Sequence, residues 1–151
     1  MIRVQAEDFD LAAEIKTLTR GTTSIGGVVT FTGLVRDIAG GETIRAMTLE
    51  HYPGMTERLL ADIEAEANRR WPLDASLIIH RYGRLEPGDQ IVLVITASAH
   101  RQAAFEAAAF LMDWLKTKAP FWKREETPQG DQWVDAKAED DRAAARWHEE
   151  S

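Results

Sequence analysis

The segment DQIVLVITASA, residues 89–99, runs almost directly into RQAAFEAAAFLMDWLKTK, residues 101–118. The first segment is an apolar, β-branched run that follows a Pro-Gly turn, and this pattern predicts a strand. The second segment carries apolar residues at helical spacing, which predicts a helix directly after the strand. The aligned positions are Ala104, Ala108, Leu111 and Leu115. Because Pro120 disfavours helical geometry at Ala119, the helix should end just before that residue.

Other strand patterns precede this pair in the sequence. Further strands are predicted at residues 24–36, 44–52 and 75–83. The strands 75–83 and 89–99 should form a β-hairpin across the turn RLEPGD, in which Pro87 and Gly88 supply the fixed and the permissive backbone positions. AGGET, residues 39–43, is predicted to be a mobile loop.

Two further helices and a polar tail complete the predicted elements. The first helix covers residues 11–19, with Asp10 placed to cap it. The second covers 53–71 and is predicted to be the longest helix. Its expected apolar stripe consists of Met55, Leu59, Ile63 and Ala67. The polar tail, residues 137–151, is expected to form a frayed surface helix, so the whole pattern indicates an α/β protein.

Composition limits the classes of function that the chain can have. A length of 151 residues is about the size of one domain, so a single domain over residues 1–151 is expected. The formal net charge of -7 argues against a general nucleic-acid or membrane-surface binder. The chain contains no cysteine, which excludes disulfides, thiolate zinc sites and a cysteine nucleophile. No apolar run has the length of a signal-peptide core at the N-terminus or of a membrane span, so a cytoplasmic protein is expected.

Positive charge is nevertheless concentrated in KTKAPFWKRE, residues 116–125. In an acidic chain, such a local cluster suggests a site for an anion. Lys116 falls in the last turn of the predicted helix, where the helix dipole alone would stabilise a lysine. Lys123 lies in an extended segment, where a lysine can equally cover aromatic rings or pair with Glu125 or Glu126. The residues alone therefore leave a functional and a structural interpretation open for both lysines.

Three more cations stand where chain segments change direction. His100 and Arg101 lie between the predicted strand and helix, where free backbone N–H groups and the helix dipole favour an anion. Cations are unfavourable for the helix itself at this end, which favours a functional interpretation. Arg36 ends a strand and enters a glycine-containing loop, where either a ligand contact or simple solvation would explain it. Together these positions predict an anion pocket built from strand and helix ends.

The histidines give only a weak metal signal. His51 and His80 lie in strand patterns, where a lone histidine is more often a satisfied core residue than a ligand. With His100 they could supply three imidazole ligands, but none shows the close paired spacing of a zinc motif. No metal and no cofactor are predicted, and a metal-dependent hydrolase using these three histidines remains an alternative.

Five ordered segments carry a resemblance to a known family. They are FTGLVRD (31–37), LEHYPGM (49–55), HRYGRLEPGD (80–89), SAHRQAAFEA (98–107) and MDWLKTKAPFWKRE (112–125). In this order and spacing the chain resembles the large, catalytic subunit of molybdopterin synthase, the MoaE family. The resemblance extends over residues 25–136, and the segment KTKAPFWKRE is its most specific part.

The resemblance implies a fold, an activity and partners. The implied fold is an α/β hammerhead-like arrangement with a smaller antiparallel β portion. The implied enzyme is a sulfurtransferase of molybdenum cofactor biosynthesis: a homodimer that binds one small ubiquitin-like sulfur-carrier subunit (MoaD-like) at each end, giving a heterotetramer. The carrier's C-terminal Gly-Gly thiocarboxylate would supply two sulfurs to cyclic pyranopterin monophosphate, which becomes the dithiolene of molybdopterin.

The resemblance also implies the roles of site residues. Lys116 and Lys123 would be catalytic, with Lys116 preferred for proton transfer because a lysine desolvated beside other cations can exchange a proton. The implied substrate-binding residues are Arg36, His100, Arg101, Lys116, Lys123 and Arg124. Fixed cations would hold two anions, the cyclic phosphate and the thiocarboxylate, close together. The alternative is a non-enzymatic module that binds a phosphorylated metabolite or the C-terminal tail of a partner.

Overall fold

A computed structural model of the chain describes residues 1–39, 41–134 and 138–148. The strands are β1 (Ile2–Gln5), β2 (Gly27–Leu34), β3 (Ile38–Ala39), β4 (Glu42–Thr43), β5 (Ala46–His51), β6 (Leu73–Arg81), β7 (Gly83–Leu85), β8 (Gln90–Ser98), β9 (Phe121–Thr127) and β10 (Gly130–Val134). The helices are α1 (Leu11–Thr19), α2 (Met55–Arg70), α3 (Arg101–Lys118) and α4 (Ala138–Ala145). No helix in these described ranges is long and apolar enough to cross a membrane.

The larger sheet has the strand order β1-β6-β8-β2. Its central strands β6 and β8 are antiparallel, β2 is antiparallel to β8, and β1 is parallel to β6. Side chains alternate between the two faces of β8. Val92 and Val94 pack against α2 and α3, whereas Leu93 and Ile95 pack beneath α1. Helices therefore cover both faces of the central strands, which explains why these strands are apolar almost throughout.

The smaller sheet is antiparallel and has the strand order β10-β9-β5-β7. Its buried cluster contains Met47 and Leu49 from β5, Leu85 from β7, and Val35 from the segment after β2. Phe121 of β9 packs against this cluster. The two sheets and the surrounding helices confirm the predicted α/β fold with a smaller antiparallel β portion.

The strand-to-helix transition at the centre of the sequence is confirmed. β8 ends at Ser98 and α3 begins at Arg101. The predicted apolar positions Ala104, Ala108, Leu111 and Leu115 are all buried. Ala119 has ψ 134, an extended conformation, so the helix ends immediately before Pro120 as expected. The cap of α1 is also confirmed, because Asp10 Oδ1 accepts a hydrogen bond from the Ala13 N–H at 3.1 Å.

Two predicted loops contain short strands. In AGGET, residues 39–43, the backbone pairs as an antiparallel β3–β4 hairpin, while Gly40 lies outside the described residues. β6 and β8 pair as predicted, but their connection contains β7, which joins β5 in the other sheet. The predictions of a loop at residues 39–43 and of a simple turn between β6 and β8 were therefore wrong. Strands of two or three residues are too short to show a periodic pattern, and they form only because a partner strand is available.

The apolar stripe of α2 also differs from the prediction. Its buried residues are Thr56, Leu60, Ile63 and Ala67. Met55 is exposed and Leu59 is half-buried, so the start of the stripe is rotated. Thr56 can be buried because its hydroxyl donates a hydrogen bond to the Tyr52 carbonyl at 2.8 Å. The prediction that this is the longest helix was wrong, since α3 has 18 residues and α2 has 16.

The C-terminal segment is anchored to the core. Trp147 is buried, its Nε1 donates to Asp113 Oδ2 at 2.7 Å, and its ring packs edge-on against Phe110. These contacts contradict the expected frayed surface helix for the part of the tail that the structure describes. Residues 135–137 and 149–151, which also belong to predicted segments, lie outside the described residues.

Candidate active site

A cavity of ≈ 580 Å³ is lined by both sheets, α4 and the C-terminal end of α3. It brings together three of the predicted site cations, namely Arg36, Lys116 and Lys123. Apolar side chains form much of the remaining lining: Phe31, Leu34, Ile91, Val92, Leu115 and Phe121. A concave, partly apolar space with a few convergent charged groups is the usual form of a small-molecule site. The cavity is therefore the candidate active site.

Helix and strand geometry position the two lysines. Lys116 lies in the last turn of α3, where the helix dipole stabilises its charge, and the neighbouring Leu115 is buried in the core. Lys123 lies two residues after Phe121 on β9, so both side chains are on the same face of the strand. Lys116 is exposed and Lys123 is half-buried. The cavity thus receives one cation from the helix and one from the smaller sheet.

Arg36 reaches the cavity from the segment that follows β2. A register shift between Gly33 and Leu34 ends the regular pairing of β2 with β8. Val35 is then buried, and its N–H donates to the Asp89 carbonyl at 2.9 Å. This anchor leaves Arg36 exposed at the edge of the cavity. A third cation therefore comes from the larger sheet.

His80 also lines the cavity, whereas the sequence pattern favoured a core residue and gave it a function only as a ligand in the metal alternative. The side chain is buried and its ring stacks on Phe121, with ring centroids 3.7 Å apart. Burial lowers the pKa of His80 to about 3, against a hydrogen bond with the Arg81 carbonyl that raises it, and the charges of Lys116 and Lys123 lower it further. The feature of the sequence that could have indicated its role is a single polar residue at the end of the apolar run LIIH, residues 77–80. Asp140 of α4, another lining residue, was also missed.

His100 and Arg101 lie at the opposite end of α3 from the cavity. His100 is the N-cap residue and Arg101 the first helical residue. Lys116 is fifteen residues further along α3, which corresponds to about 22 Å of helix. His100 lines a separate cavity of ≈ 430 Å³. One copy of the chain therefore does not bring these two residues to Lys116.

Arg124 lies outside the cavity lining. Its neighbours along β9 alternate between faces, so Arg124 is on the face opposite Lys123. Its guanidinium is 3.8 Å from the Asp131 carboxylate and lies over the Trp133 ring at 5.8 Å. Arg124 therefore contacts β10 within the β9–β10 hairpin and does not lie beside Lys116.

The three histidines of the metal alternative are not gathered into one site. His51 Nδ1 is 3.1 Å from the Thr56 hydroxyl, and His80 Nδ1 is 2.8 Å from the Arg81 carbonyl oxygen. His100 lines the other cavity. Across residues 1–39, 41–134 and 138–148, no group of three or more His, Asp or Glu side chains could hold a metal ion.

Comparison with known proteins gives the family. The model of the MoaE protein family matches residues 4–118. The chain is also 55% identical, over 152 residues, to a protein of Mesorhizobium japonicum named molybdopterin synthase catalytic subunit. That alignment covers 99% of this chain and 94% of the relative. The chain belongs to the MoaE family.

Solved structures of MoaE proteins have the same fold. Molybdopterin cofactor biosynthesis protein E from Burkholderia multivorans superposes with a TM-score of 0.84 at 53% identity, covering 100% of this chain and 98% of that one. A molybdopterin synthase structure from Staphylococcus aureus gives a TM-score of 0.82 at 31% identity, covering 88% of this chain and 96% of that one. The family and fold predicted from the five segments are thereby confirmed.

Proposed function

We propose that this chain is the catalytic subunit of a molybdopterin synthase. In this role it transfers sulfur from the C-terminal thiocarboxylate of a small carrier subunit to cyclic pyranopterin monophosphate, and the product is the dithiolene of molybdopterin. The observation that carries the proposal is the cavity that joins Arg36, Lys116 and Lys123. Membership of the MoaE family supports the same assignment. The proposal also includes a single domain over residues 1–151 and a cytoplasmic location.

The charges in the cavity suit this chemistry. The substrate carries a cyclic phosphate and the carrier tail ends in a thiocarboxylate, so two anions must approach each other. Three cations from different elements can offset their repulsion and stabilise charge that develops on the phosphate. Each transfer forms a carbon–sulfur bond on the substrate as a substrate oxygen leaves in water, and a water molecule then cleaves the carbon–sulfur bond to the carrier, which leaves a carboxylate there. The absence of cysteine is consistent with this scheme, because the sulfur arrives on the partner.

Lys116 is the proposed proton-transfer residue. It is exposed in the chain on its own, so water screens its charge in that state. A carrier tail that enters the cavity would displace this water. The side chain would then lie beside the reacting atoms, where it can exchange a proton with them. The proposal therefore links carrier binding to activation of Lys116.

His100 and Arg101 are proposed to serve the cavity of a second copy in a homodimer. Among the residues that the structure describes, β2 pairs with β8 on one side only, and its exposed residues include Val28, Phe31 and Leu34. An unpaired strand edge with apolar side chains is suited to pairing with another chain. Antiparallel pairing of two β2 strands around a two-fold axis would satisfy both edges at once.

The lengths of the elements support this arrangement. β2 has eight residues and spans about 23 Å, close to the length of α3 between Arg101 and Lys116. Gly27 at the start of β2 lies beside the backbone of Arg101. Leu34 at the end of the strand lines the cavity. Two-fold pairing would therefore bring the Arg101 end of one protomer beside the cavity of its partner, with one carrier subunit at each end of a heterotetramer.

Product formation without metal tests the proposed function. We expect purified protein, mixed with a thiocarboxylated carrier and cyclic pyranopterin monophosphate, to form molybdopterin at a rate that a chelator does not change. Liquid chromatography with mass detection measures the product. Binding of the substrate or the tail without any product would favour the non-enzymatic module, and loss of turnover with the chelator would favour a metal enzyme.

A further inference from the structure

The ring of His80 is held in one orientation inside the cavity lining. The residue is 5% exposed and stacks on Phe121 with an interplanar angle of 17°. His80 Nδ1 lies 2.8 Å from the Arg81 carbonyl oxygen. A carbonyl oxygen can only accept a hydrogen bond, so Nδ1 carries the proton and Nε2 keeps the lone pair. In the part of the chain that the structure describes, the hydrogen bond of the ring is made by Nδ1, and the lone pair on Nε2 is available to accept another.

The surroundings of His80 keep the imidazole neutral. Burial has the largest effect, and it lowers the pKa of His80 to about 3 together with the nearby charges of Lys116, Lys123 and His51. Arg36 and Asp140 line the same cavity from other elements. A histidine with so low a pKa is an inefficient general base near neutral pH. It is, however, an uncharged hydrogen-bond acceptor in a cavity whose cations are all donors.

An acceptor of this kind could orient the side chain of Lys116. Its ammonium has three N–H donors on a flexible four-carbon stem, and the residue is exposed at the helix end. An exposed lysine samples many rotamers, and only some of them direct the ammonium into the cavity. A hydrogen bond from one N–H to a fixed acceptor would select these rotamers and leave two N–H groups for substrate.

We propose that His80 is a positioning residue, whose neutral Nε2 accepts a hydrogen bond from the Lys116 ammonium and holds it in the cavity. The catalytic consequence rests on the proposed function, whereas the contact itself does not. Misplacement of a reacting group by about 1 Å can cost 10²-fold in rate. Loss of the acceptor should therefore lower kcat while leaving the binding of substrate nearly unchanged.

Substitutions at His80 test this role. His80→Phe keeps a flat ring against Phe121 but removes the acceptor, and we expect kcat to fall by about 10-fold to 100-fold with KM changed less than about 3-fold. His80→Gln places an amide near the position of Nε2 and should restore part of the lost kcat. The matched control is His148→Phe, which alters an exposed histidine outside the cavity lining and should leave kcat nearly unchanged. Equal losses in the Phe and Gln variants would overturn the proposal.

A double-mutant comparison and a spectrum separate positioning from general structure. In the Lys116→Ala background, His80→Phe should cause no further loss, because His80 acts through Lys116; a full additional loss would contradict the proposal. Independently of activity, ¹⁵N NMR of the chain should show the His80 Nε2 resonance shifting on Lys116→Ala and staying unchanged on Lys118→Ala. An Nε2 resonance indifferent to Lys116→Ala would overturn the contact. Failure of the wild-type chain to form product would count against the proposed function alone.

Discussion

Lys116→Ala should lower the turnover of the carrier-bound enzyme by about 10²-fold to 10⁴-fold, the range that general acid–base catalysis supplies. The fold should be preserved, because an exposed lysine at a helix end contributes at most about 1 kcal/mol to stability. Binding of the carrier subunit should also change little. Single-turnover kinetics with saturating carrier measure the rate, and thermal unfolding checks the fold.

Lys118→Ala is the matched control for this experiment. Lys118 lies in the same last turn of α3 and carries the same charge, but its ammonium lies over the Trp114 ring and the residue does not line the cavity. We expect turnover close to that of the unmodified chain. Equal losses in the two variants would mean that charge at the helix end matters in general, and that Lys116 has no special role.

Lys116→Arg distinguishes proton transfer from electrostatic holding. Arginine keeps the positive charge but does not lose its proton near neutral pH. We expect this variant to lose nearly as much turnover as Lys116→Ala. Near-full activity would show that Lys116 binds an anion and does not transfer a proton.

Two inactive variants should restore activity to each other when they are mixed. A Lys116→Ala chain retains His100 and Arg101, while a chain with His100→Ala and Arg101→Ala retains Lys116. In the proposed homodimer, a hybrid has one site in which all three residues are intact. After random exchange of subunits, activity should reach about a quarter of the unmodified value, because half of the dimers are hybrids with one good site in two.

The exchange experiment also tests the proposed β2 pairing. If one chain supplied all three residues to its own site, no hybrid could contain an intact site and the mixture would stay inactive. Val28→Lys places a charge on each β2 strand at an exposed residue outside the cavity lining, and it should prevent recovery by weakening the dimer. Recovery with monomeric chains in light scattering would contradict the dimer.

Much of the fold was predictable because its elements are long and periodic. α3 buries the apolar positions that the sequence pattern identified, and Pro120 ends it where expected. The rotated stripe of α2 was not predictable in the same way, since Thr56 is buried only because Tyr52 accepts its hydrogen bond. β7 was missed because a strand of three residues depends on its partner β5.

The sequence indicated which types of residue form the site, but it did not show how they are arranged in the folded chain. Lys116 and Lys123 are seven residues apart in one segment, but Arg36 is distant in sequence, and only the folded chain shows that all three line one cavity. The separation of Arg101 from Lys116 could have been foreseen, because fifteen helical residues extend about 22 Å. The neutral state of His80 could not, since it depends on burial and on the Arg81 carbonyl.

The most direct test of the central claim is to follow the sulfur. The chain is mixed with a carrier whose C-terminal thiocarboxylate contains ³⁴S and with unlabelled cyclic pyranopterin monophosphate, and the product is weighed by mass spectrometry. We expect molybdopterin with both dithiolene sulfurs as ³⁴S, formed by the unmodified chain and strongly reduced in the Lys116→Ala variant. Absence of labelled product from a chain that binds the carrier would contradict the proposed sulfur transfer.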